Sequence, residues 1–88
     1  MKTSLGCELI INADDFGMNA EVNASILQSI NAGLATTTTM LVNLSGFDDA
    51  CNIAEKHGIE KRIGLHVNLT EGVPLTDKMK RCRMFCDS

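Results

Sequence analysis

The chain has 88 residues, enough for one small domain or part of a larger one, with 44% apolar and 22% charged residues. Tryptophan and tyrosine are absent and only three phenylalanines occur, so a core built here is aliphatic. A net charge of -3 without long runs of one sign argues against a nucleic-acid partner, and no segment reaches the roughly 18 consecutive apolar residues of a membrane helix.

The start carries one lysine and a very short apolar run, a poor secretory signal. "CELIINA", residues 7 to 13, is a continuous apolar run and predicts a strand covered on both faces. Two adjacent carboxylates, Asp14 and Asp15, follow it, then Phe16 and Gly17. In "MNAEVNASILQSINAG", Val22, Ile26 and Ile30 recur every four residues with Leu27 beside them, predicting an amphipathic helix. Asn19 is its candidate N-cap, Glu21 suits the first turn, and Gly33 is a natural stop.

"ATTTTMLVN", residues 35 to 43, predicts a second strand ending at Asn43. A second helix is expected over "SGFDDACNIAEKHG", with Phe47, Ala50, Cys51 and Ala54 on one face. Ser45 and Asp48 resemble a capping box, and Gly58 closes the helix. His57 falls in the last turn, where a structural or solvent-facing role is expected. A third strand is expected at about residues 62 to 67, ending near His66 and Asn68. Residues 77 to 88 form a tail of uncertain structure, whose basic cluster "KMKRCR" lacks interleaved aromatics and reads as a solvated segment.

Four cysteines, at 7, 51, 82 and 86, lack the paired spacing of a zinc site. Cys7 and Cys51 read as small core residues, and reduced thiols fit a cytoplasmic protein.

The predicted order is β-α-β-α-β, an α/β fold with parallel strands joined by right-handed crossovers. In such folds ligands bind at the carboxyl ends of the strands. Asp14, Asp15, Asn43, His66 and Asn68 collect on that rim. Adjacent acids on a regular strand point to opposite faces, but a turn aided by Gly17 lets both face one cavity. A divalent cation would offset their repulsion, and an imidazole is a suitable further ligand. An exposed turn is the ordinary meaning of two adjacent aspartates. The histidine at the end of another parallel strand is what favours a hydrolytic site.

"NADDFGMN", "VNASI", "AGLATTTTMLVN" and "GLHVNLTEGVPL", in this order, closely resemble the YdjC-like carbohydrate deacetylases, the group that includes chitooligosaccharide (chitin disaccharide) deacetylases. The resemblance runs from about residue 8 to residue 76. It implies a distorted TIM-like (β/α) barrel, of which residues 1–88 would be about the first third, since such a barrel needs roughly 250 residues. It implies a hydrolase that removes acetyl groups from N-acetylated oligosaccharides with magnesium or zinc as cofactor. Carried over, Asp15 and His66 are the expected metal ligands and Asp14 the general base, the two aspartate roles being exchangeable. Asn43, Asn68, Thr70 and Glu71 match motif positions without an assigned role.

The family's further metal histidine lies in a downstream histidine-rich motif, and no histidine follows His66 here. The expectation is an amino-terminal fragment, inactive alone or active with a complementing fragment. The alternative is a non-catalytic sugar- or metal-binding remnant that self-associates as a homo-oligomer through its open edge. A receiver-type phosphate pocket would need an aspartate where His66 stands. The missing GxGxxG after the first strand argues against a dinucleotide.

Overall fold

The computed structural model describes residues 6–84 and 86. Three parallel strands form one sheet in the order β1-β2-β3: β1 is Asn12–Phe16, β2 is Thr37–Met40 and β3 is Ile63–Leu65. Helix α1, Ala20–Asn31, links the first two strands. Helix α2, Phe47–His57, and a 3-10 turn, Glu60–Arg62, link the second and third. A one-turn helix α3, Asp77–Lys80, follows the sheet. The α/β class and the parallel order agree with the sequence pattern; a closed barrel is not formed by these three strands.

The helices form where their signals predict. Asn19 accepts a hydrogen bond from the Val22 N–H at 2.8 Å and caps α1. At the other end Gly33, with φ of 76°, lets its own N–H reach the Ile30 carbonyl and the Leu34 N–H reach that of Ser29. Those two bonds satisfy carbonyls that the helix itself leaves open. Gly58 stops α2 in the left-handed conformation. The expected Ser45 cap does not form: Gly46 is the N-cap, and the Ser45 hydroxyl donates to the Met18 carbonyl at 3.4 Å. With Gly46 at the cap, Ser45 lies one residue outside that position, and its hydroxyl ties two loops together instead.

Phe16, Ile26, Ile30, Ala35, Ala50, Ala54 and Ile59 make the buried core, with Ala13, Val22, Leu27, Met40, Ile53 and Ile63 packed against it. The core therefore joins one face of the sheet to both long helices. Small residues on α2, Ala50 and Ala54, let it approach closely.

Strand boundaries depart from expectation. The first strand is displaced downstream, from 7–13 to Asn12–Phe16, and includes both aspartates rather than ending before them. Leu9, Ile10 and Ile11 are exposed, as is Cys7, so the apolar run is not a doubly covered strand and Cys7 is not a core residue. Among the described residues α1 and α2 are the helices that pack on the sheet, and they cover one face. The second strand is shorter than 35–43, and Asn43 lies in the loop beyond it. The tail holds the single turn of α3, capped by Thr76, whose hydroxyl accepts from the Met79 N–H at 3.2 Å.

Candidate cation site

Two neighbouring acids can share a strand with a buried core because the strand is bulged. Ala13 pairs with Thr38 and Phe16 with Met40, so β1 uses three steps where β2 uses two. Without the extra residue, position 15 would follow Ala13 onto the helix-covered face, and a carboxylate would enter aliphatic surroundings at high cost. The bulge passes that place to Phe16, which is fully buried. Asp15 takes φ of 76°, alone among the described non-glycine residues in this region. Such a conformation costs an aspartate on the order of 1 kcal/mol, and aspartate is among the few residues that tolerate it.

The result is that the two acids have different surroundings. Asp14 points to the sheet face opposite the helices. Its Oδ1 accepts from Asn12 Nδ2 at 2.9 Å and from Thr39 Oγ1 at 3.1 Å. Thr37 Oγ1 donates to Asn12 Oδ1 at 2.9 Å, so a polar ladder fixes the Asp14 rotamer. Asp15 instead faces His66, with Oδ1 3.6 Å from Nδ1.

His66 continues the line of β3: its N–H donates to the Met40 carbonyl at 3.0 Å, which anchors the residue against β2. Its Nδ1 is buried and has no hydrogen-bond partner among the described residues. The 3.6 Å gap to Asp15 is too long for a good hydrogen bond. A bare nitrogen lone pair facing a carboxylate oxygen is repulsive, so a proton or a cation belongs between them. Two donors sharing one zinc ion at the tetrahedral angle lie about 3.4 Å apart. The orphaned nitrogen, the facing oxygen and their spacing therefore fit a divalent cation. Among the described residues no three His, Cys, Asp or Glu side chains converge to hold a metal by themselves. Asp14 is thus near the pair in sequence but not grouped with it as a third ligand. His57 is exposed in the last turn of α2, as expected of a solvent-facing residue.

The motif residues after β3 build a loop rather than a ligand set. Asn68 Oδ1 accepts from the N–H groups of Thr70 and Glu71, at 3.2 and 2.9 Å. Its Nδ2 donates to Asn43 Oδ1 and to the Glu71 carbonyl, both at 2.9 Å. Asn43 donates to the same carbonyl at 3.3 Å. These bonds tie the loops after β2 and β3 beside His66. Beyond them an open groove of about 810 Å³ is lined largely by apolar side chains, among them Leu65, Val67, Leu69, Leu75 and Met79, with His66 on its wall.

One polar residue escapes the sequence reading. Asn23 is fully buried in the contact between α1 and the loops. The available signal is its position: it lies three residues before Ile26 and seven before Ile30, on the apolar stripe of α1. An amide there needs partners.

Comparisons with known proteins give the family of the chain. The family described as YdjC-like protein matches residues 8–88. The chain belongs to that family. Carbohydrate deacetylase 2 of Listeria innocua is 44% identical over 70 residues, covering 80% of this chain and 28% of the relative. The carbohydrate deacetylase of Brevibacillus brevis is 39% identical over 69 residues, 78% of this chain and 27% of its own. That of Vibrio parahaemolyticus is 37% identical over 70 residues, 80% and 28% respectively. This YdjC-like chain therefore spans less than a third of the curated relatives it matches. No solved structure matches it.

Proposed function

We propose that this chain is the amino-terminal portion of a metal-dependent carbohydrate N-deacetylase built on a TIM-like (β/α) barrel. The observation that carries the proposal is the approach of Asp15 Oδ1 to the orphaned, buried Nδ1 of His66. Family membership and relatives named carbohydrate deacetylase support the reaction class.

Asp15 and His66 would hold the cation, magnesium or zinc, leaving coordination positions for water, substrate and a ligand from further along a full-length relative. When bound, a divalent cation supplies Lewis acidity, acidifying water and polarising a carbonyl. Asp14 acts as the general base. Asn12 and Thr39 both bond its Oδ1, which fixes the carboxylate and leaves Oδ2 as the oxygen to receive a proton. Water adds to the acetyl carbon as its proton passes to Asp14. The C–N bond then breaks, the proton goes to the leaving nitrogen, and the products are acetate and a free amine. An N-acetylated chitooligosaccharide is the substrate class this chemistry takes.

With two ligands the chain alone is inactive. The test combines the 88-residue chain with a polypeptide supplying the later strands of a relative. Acetate release from an N-acetylated chitooligosaccharide is expected only from the mixture, and Asp14→Ala should abolish it. A folded, metal-loaded complex that releases no acetate would overturn the proposal.

A further inference from the structure

Asp15 keeps an unfavourable φ, so something beside it must hold the backbone in place. On its amino side the ladder to β2 does so. On its carboxyl side β1 ends at Phe16 and the chain turns at Gly17–Met18, with each of these three residues held by a hydrogen bond. The Phe16 carbonyl accepts from the Leu41 N–H at 2.7 Å, and the Met18 N–H returns to the Asp15 carbonyl at 3.1 Å. Between them the Gly17 N–H donates to Asn23 Oδ1 at 2.7 Å.

Asn23 is well suited to that task. Its Nδ2 donates to the Gly46 carbonyl at 2.9 Å and to Asp49 Oδ2 at 3.0 Å. One side chain thus bolts the loop after β1 to the loop after β2 and to the start of α2. The backbones are in close contact at the same place. A Cβ on Gly46 would lie 2.5 Å from the Asn19 nitrogen, and one on Gly17 would overlap the Leu41 carbonyl. The amide satisfies two backbone groups that the closeness of the loops shields from water, and it also bonds the carboxylate of the exposed Asp49.

We propose that Asn23 is a positioning residue for the cation site: its bond to the Gly17 N–H holds the turn that aims the Asp15 carboxylate at His66. It touches neither cation nor substrate. The inference rests on the reading of Asp15 and His66 as cation ligands, and its test separates the two claims.

Zinc binding to the full 88-residue chain is measured by titration calorimetry, and exchange of the Gly17 amide is followed by NMR. Wild type should bind zinc, and Asp15→Ala and His66→Ala should each abolish binding. Failure at this step overturns the ligand assignment itself, and the positioning role falls with it. With the ligands established, Asn23→Ala should weaken zinc affinity by ~10–100-fold below its melting temperature and speed exchange at Gly17. A lower melting temperature with unchanged affinity would overturn the proposal, because a purely stabilising amide predicts that result. Should Asn23→Ala not fold, Asn23→Asp decides: it keeps the acceptor for Gly17 and loses the donor to Gly46. Affinity within ~3-fold of wild type is expected, on the scale where lost positioning costs 10-fold or more. A larger loss with Gly17 still protected would overturn the assignment.

Discussion

Between Ala13 and Ile59 the large apolar side chains are buried or half-buried except Leu34 and Val42, while between Leu65 and Met84 the large aliphatic side chains stay in water. Phe16 and Ala50 are fully buried, whereas Leu69 is 73% and Met84 83% exposed. Apolar content is not what separates the two regions. The first has two helices of 12 and 11 residues, each with an apolar stripe and a working stop. The second has one helix of four residues, too short to present a face. Burial here follows from having an element long enough to cover a sheet, and His66 sits at the border between the covered region and the open one.

The strongest way to break this comparison is to remove Phe16. Phe16→Ala should cost about 3–5 kcal/mol, comparable to the whole stability of a small domain, and urea unfolding followed by circular dichroism would measure it. Gly46→Ala comes next. Its added methyl meets Asn19 backbone at 2.5 Å, and the expected loss is about 1–3 kcal/mol by the same assay. Asp15→Gly should act in the opposite direction. Relief of the positive φ outweighs the added freedom of the unfolded chain, giving a gain of about 0.5–1 kcal/mol, while zinc binding is lost. A variant that is both more stable and unable to bind would mark Asp15 as retained for chemistry. Leu69→Ser should be the mildest, within about 0.5 kcal/mol, because its side chain is already in water. A large effect there would show that the open region is covered in solution.

Local signals explain what the sequence made legible. The stripe Val22-Ile26-Ile30, the Asn19 cap, and the stops at Gly33 and Gly58 each act within one or two turns, and each stands where its pattern puts it. The sequence pattern puts His66 at the end of a third strand over about residues 62 to 67; the strand stops at Leu65 and His66 follows directly. The bulge was not legible, because it is a mismatch between two strands and appears only when Ala13 and Phe16 are matched to Thr38 and Met40. Hence the first strand was expected five residues early at its start and to end before the acids. The task of Asn23 was hidden likewise: its partners lie 6, 23 and 26 positions away.

The bulge also changes how the acidic pair can be altered. Drop Asp15 from β1 and the remainder reads as plain alternation, with Asn12 and Asp14 on the open side and Ala13 and Phe16 on the core side. The acid at 15 is surplus length spliced into an otherwise ordinary strand. Excising it should spare the architecture, whereas cutting out Phe16 instead would push a carboxylate toward the hydrocarbon.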